Sequence, residues 1–134
     1  MGAAELDAAR RRLGEAERLA VAQSALRDAA LAGDTRRLVE AIREAEAAGV
    51  GVGALGEARA ALDEAVQRDA ALKQLQEAMS SDAPGGVEAL RQALQRGEAT
   101  GLSAEVLRPA RRQLEAAERR RQAEAALARA EETE

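Results

Sequence analysis

The sequence predicts an all-α protein of five helices in long-short-long-short-long order, built on helical repeats of about 49–52 residues. Three observations carry that prediction. The signature Leu-x-x-Ala-Arg-x-x-Leu occurs at Leu6, Ala9, Arg10 and Leu13, at Leu55, Ala58, Arg59 and Leu62, and at Leu107, Ala110, Arg111 and Leu114. Near-equal spacing of this kind marks a serial or stacked architecture. Apolar residues elsewhere recur three and four positions apart, the spacing that gathers side chains on one face of a helix. Ala, Leu, Arg, Glu and Gln, which cost least in a helix, dominate a chain that has no aromatic residue.

The first helix is expected from Ala3 to about Ala32, on the stripe Leu6, Ala9, Leu13, Ala16, Leu19 or Ala20, Leu26 and Ala29. Gly14 inside it costs about 1 kcal/mol relative to Ala. Gly33 suits the left-handed terminal position, and Asp34 can accept backbone hydrogen bonds at the start of the next helix. That short helix, about Thr35 to Ala48, carries Leu38, Ala41, Ile42 and Ala45 inward and Arg36, Arg37, Arg43 and Glu44 outward. Gly49 ends it, and Val50-Gly51-Val52-Gly53 is a glycine-rich connection.

A second long helix is expected from about Ala54 to Ser80, with Leu55, Ala58, Leu62, Ala65 or Val66, Leu72, Leu75 and Met79 as its stripe. Ser80 to Gly86 reads as a loop. The fourth helix repeats the second: Val39, Ala41, Ile42, Arg43 and Ala45 match Val87, Ala89, Leu90, Arg91 and Ala93 at an offset of 48, and Gly101-Leu102 matches Gly49-Val50. Ser103 is the expected N-cap of a fifth helix, about Ala104 to Ala130. Pro109 lacks an N–H, so the sequence predicts either a kink there or a helix that starts near Arg108.

A helix of about 27 residues advances roughly 40 Å and one of 13 returns about 20 Å. The order of elements therefore resembles a spectrin-like series of three-helix bundles, with the long helices shared between neighbours. On that arrangement the whole chain, 1–134, is a repeat segment with bundles at about 19–66 and 68–117 and flanking helix ends at 3–18 and 118–131. The resemblance covers arrangement alone. The spectrin family has a longer repeat and an aromatic core residue, so it implies no activity or partner here. A compact α-solenoid or five-helix bundle is the alternative packing.

The apolar core is thin. Of 62 hydrophobic residues 36 are Ala, leaving 16 Leu, 7 Val, Ile42, Met1 and Met79, and each fully buried Leu or Val contributes only about 1.5–3 kcal/mol. The residues expected to carry the fold are Leu6, Leu13, Leu26, Leu38, Ile42, Leu55, Leu62, Leu75, Leu90, Leu94, Leu107 and Leu114. Arg appears 19 times and Lys once, a bias that points to a natural chain from a GC-rich genome, with a designed or reconstructed helical repeat as the alternative origin.

Composition also narrows function. A net charge of −4, with acids and bases interspersed, does not recommend nucleic acid or an anionic membrane. No stretch approaches the roughly 18 apolar residues of a membrane span, and the N-terminus lacks a signal-peptide pattern, so a cytoplasmic location is expected. With no Cys or His, neither zinc-thiolate chemistry nor a Ser-His pair is available, and Ser24, Ser80, Ser81 and Ser103 have no base to activate them. Paired carboxylates such as Glu15 and Glu17, or Glu44 and Glu46, diverge on a helix. Asp82 lacks the spaced acids of a calcium loop, Glu131, Glu132 and Glu134 form an acidic tail, and Pro84-Gly85-Gly86 is a turn without a phosphate loop's ending. No catalytic, cofactor or metal residue, no cofactor and no small-molecule substrate is therefore expected.

The runs Arg10-Arg11-Arg12, Arg36-Arg37, Arg111-Arg112 and Arg119-Arg120-Arg121 spread around their helices at 100° per residue. Asp7 and Glu15 lie near the first run and Glu118 and Glu124 near the last, which favours surface ion pairs. Arg10, Arg59 and Arg111 share one register and are expected to lay their methylenes over the apolar seam, with the guanidinium on a carboxylate of an adjacent helix. The expected role is non-enzymatic: a structural or scaffolding module for spacing or protein–protein interaction, and a segment of a longer repeat protein. Its partners are expected to be other proteins, or further copies of itself, at helical faces. A homo-oligomerising coiled coil and an amphipathic membrane-surface protein are the remaining alternatives.

Overall fold

A computed structural model describes residues 2–81 and 85–132. Among them the chain forms α1 (Ala3–Ala32), α2 (Thr35–Ala48), α3 (Val52–Ser80), α4 (Gly86–Ala99) and α5 (Ala104–Glu132), with no strand. The long-short-long-short-long order is as the periodicity requires. Asp82, Ala83 and Pro84, in the expected loop, and Glu134, in the acidic tail, lie outside the described residues.

The chain divides into two compact units, Met1–Val66 and Gln67–Glu134, each with its own core. The first core gathers Leu26 and Ala29 of α1, Leu38 and Ile42 of α2, and Leu55, Ala58 and Ala65 of α3. The second gathers Leu75 and Ala78 of α3, Leu90, Ala93 and Leu94 of α4, and Leu107 and Ala110 of α5. Both are built from Leu on small-residue seams. Where Ala faces Ala the helices can approach closely, and that packing substitutes for the bulk an aromatic residue would supply.

The short helices end in the same way. Gly49 and Gly101 are left-handed (φ 80° and 81°), a conformation that only glycine adopts without steric cost. Gly49 donates its N–H to the Glu46 carbonyl and Val50 to that of Ala45, and Gly101 and Leu102 do the same to Glu98 and Gly97. The apolar residue after each glycine folds back onto its core: Val50 is buried and Leu102 is half-buried. Val50 thus belongs to the core and not merely to the connection. At the other ends, the Asp34 carboxylate accepts from the N–H groups of Arg36 and Arg37, and the Ser103 hydroxyl from that of Val106, as expected of N-caps.

Four expectations need correction. α3 begins at Val52, two residues early, because the Gly51 carbonyl already accepts the Leu55 N–H. α5 begins at Ala104, so a start near Arg108 is excluded and Pro109 sits inside the helix. The short helices correspond at an offset of 52, not 48: Leu38, Ala41, Ile42 and Ala45 are buried, and so are Leu90, Ala93, Leu94 and Gly97. An offset of 48 is one turn out, which keeps the face but pairs buried Ala41 with exposed Ala89. Finally, Leu6 and Leu13 are 45% and 61% exposed and are not core residues, while Leu62 and Leu114 are half-buried at the core margins.

The offset explains one sequence difference. A Cβ on Gly97 would lie 2.8 Å from Leu107 Cδ2 and 3.1 Å from Leu102 Cδ1, whereas Ala45 is accommodated beside the smaller Val50. Gly97→Ala alone is expected to cost about 1 kcal/mol, crowding of about 1–3 kcal/mol outweighing a propensity gain of about 1. Combined with Leu102→Val it should cost less than the two single changes added together, by about 1 kcal/mol. Urea denaturation of the two single variants and the double variant measures this, and strict additivity would contradict it.

Candidate functional site

Ion pairs repeat with the fold. Arg59 of α3 pairs with Glu46 at the end of α2, and Arg111 of α5 pairs with Glu98 at the end of α4 at 2.9 Å. Each bond joins residues 13 apart, so the register of the signature fixes the partner. Both arginines place the guanidinium on a carboxylate of an adjacent helix, as expected of them. Their side chains are about half-exposed, so Arg59→Ala or Arg111→Ala should lower stability by no more than about 1 kcal/mol in a urea titration.

In the second unit Arg91 reaches Glu88 at 2.6 Å and Glu118 at 2.9 Å, tying α4 to α5. The hydrogen bond to Glu118 and then the charge of Glu88 raise its pKa, so the guanidinium stays charged. Glu118 therefore serves Arg91 and not the terminal arginine run; in that run Arg119 lies 3.9 Å from Glu115. The corresponding positions in the first unit are Val39 and Val66, an apolar pair in place of an ionic one.

Arg10, the third member of the row, is different. Among the described residues it pairs with no carboxylate. Around it Leu6, Ala9, Leu13 and Ala16 form an exposed apolar stripe. At the same register on α3, Leu55, Ala58 and Ala65 are buried and Leu62 half-buried. α5 ends on a second exposed stripe, Ala123, Leu127 and Ala130, with Leu127 65% exposed. Its spacing matches buried Ala22, Leu26 and Ala29 of α1 and buried Ala71, Leu75 and Ala78 of α3. Serial register was the signal in the sequence that could have located both faces. Val21, Leu31 and Val52 are also exposed but do not extend either stripe.

Beside the α1 stripe lies an open groove of about 850 Å³ between α1 and α2. Gly14, Val21, Ala22, Ala47 and Ala48 give it apolar walls, and Glu15, Glu17, Arg18 and Glu44 set its charge. No hydroxyl, thiol or imidazole lines it. The serines serve the backbone: Ser80 donates to the Gln76 carbonyl and Ser103 caps α5. Among the described residues no three Asp or Glu converge in a group that could hold a metal ion, and no helix is long and apolar enough to cross a membrane.

No protein-family model matches the chain, and neither the curated proteins nor the solved structures contain a significant match to it.

Proposed function

We propose that this chain is a non-enzymatic structural module, a segment of a serial helical repeat that sets spacing and offers helical faces to other proteins. One observation carries the reading. The signature that is covered by a preceding short helix at Leu55–Leu62 and Leu107–Leu114 stands uncovered at Leu6–Leu13, with the same apolar residues and the same arginine. Exposed side chains in the register of a core are suited to receiving another helix, and repeat arrays grow by covering such faces. The absence of converging nucleophiles and bases in the groove favours interaction over chemistry.

The test is to extend the array in its own register. Residues 20–53 joined directly ahead of Glu5 place Gly53 before Glu5, as it precedes Ala54 in the native chain. The extended chain should gain helical circular dichroism, melt at a higher temperature and shield the Leu6 and Leu13 methyl groups from a soluble paramagnetic probe. An added segment that stays unfolded, with both leucines still accessible, would refute the repeat reading.

A further inference from the structure

Resting on that reading, we infer that the α1 face of Leu6, Ala9, Arg10 and Leu13 is a docking site for one kind of partner: an amphipathic helix from outside this sequence with the pattern Leu-x-x-Ala-(Ile/Leu)-x-x-small-Glu. The pattern is what covers the same signature twice within this chain. It is Leu38, Ala41, Ile42, Ala45 and Glu46 in α2, and Leu90, Ala93, Leu94, Gly97 and Glu98 in α4. In each case the large apolar residues enter the core with the signature's leucine, and the glutamate, eight residues after the first Leu, takes the signature's arginine.

The two halves of the recognition are independent. Leu6 and Leu13 supply exposed apolar surface in the register of a core, and Arg10 supplies a cation with no carboxylate partner among the described residues. An incoming helix that buries the first without offering an acid leaves the second unused, so the arginine selects among amphipathic helices. α2 and α4 have their apolar residues in their own cores, and the end of α5 (Ala123, Ala126, Leu127, Ala130 and Glu131) keeps the small residues, one Leu and the glutamate of the pattern but has Ala123 in place of its first Leu. A second copy is therefore a poorer occupant than a free helix of the α2 type.

The probe is a fluorescent peptide of residues 34–50, titrated against the full chain by anisotropy. Saturable binding is expected, at least tenfold weaker for the Leu13→Asp chain, which keeps its fold because position 13 is exposed. A peptide with Glu46→Arg should bind a few-fold more weakly and recover on the Arg10→Glu chain. A short helix is marginal in isolation, so the same peptide joined to Gly2 through a flexible linker gives the second measurement, at millimolar effective concentration. There the Leu6 and Leu13 methyl resonances should shift. No shift in the tethered chain, or binding indifferent to Leu13→Asp, overturns the docking site. So does a chain that doubles in mass by light scattering through Leu13 and excludes the peptide. If the register-extended chain folds while the tethered helix fails to dock, this inference alone falls; if both fail, the repeat reading falls with it.

Discussion

Leu38→Asp is expected to unfold the first unit and leave the second folded. Leu38 is fully buried, and its removal forfeits about 2–5 kcal/mol of burial and packing. The carboxylate then sits among Leu26, Ile42, Leu55 and the alanines of that core, where no basic side chain is buried to pair with it, adding about 3–5 kcal/mol. A unit of this size holds about 3–10 kcal/mol in all, at about 0.05–0.15 kcal/mol per residue, so the substitution consumes the stability available. The second core of Leu75, Leu90 and Leu107 contains none of these residues. Hydrogen exchange should show lost protection in α2 with retained protection in α4 and α5, and circular dichroism a partial loss of helix. Loss of both units together would show that α3, which contributes to each, couples them into one cooperative transition. Ile42→Asp should behave alike, Leu62→Asp less severely because Leu62 is half-buried, and Arg36→Ala should change little because Arg36 is exposed.

Much of this was legible from local chemistry. The ends at Gly33 and Asp34, at Gly49 and at Ser103 follow from glycine's access to positive φ and from short polar side chains that accept backbone hydrogen bonds. The apolar spacing placed Leu26, Leu38, Leu75, Leu90 and Leu107 in cores because each lies opposite charged neighbours on its own helix. Periodicity alone does not say whether a stripe has a partner, and so Leu6 and Leu13 read as core residues while standing exposed. Their sequence is that of a covered face, and only the position of a neighbouring helix decides between the two states. Val50 was hidden for the opposite reason. It lies between glycines in a connection, and its burial depends on the hydrogen bond from its N–H to Ala45, which turns the side chain inward. The offset of 48 arose because one helical turn of slip preserves the face, and the capping glycines that resolve it at 52 lie outside the apolar stripe.

Pro109→Ala should stabilise the second unit by about 1–3 kcal/mol. Pro109 is the sixth residue of α5, beyond the first turn, where a missing N–H removes a hydrogen bond to the carbonyl four residues before. Glu105 therefore has no i+4 donor for its carbonyl. Pro109 is exposed, so Ala sacrifices no packing, and the gain reflects the restored bond and release of the ring's steric conflict, set against a more flexible unfolded chain. The neighbouring apolar residues need not move, since Leu107 and Ala110 already occupy the core from a continuous helix. The first unit provides the reciprocal experiment. Glu57 occupies the corresponding position on α3, is exposed, and makes no ion pair among the described residues, so Glu57→Pro should cost about as much as Pro109→Ala gains. Urea titrations of both variants, read by helix signal, compare the two changes directly. A Pro109→Ala chain no more stable than the parent would mean that α5 already accommodates the ring by bending at no cost, and Glu57→Pro should then be tolerated as well.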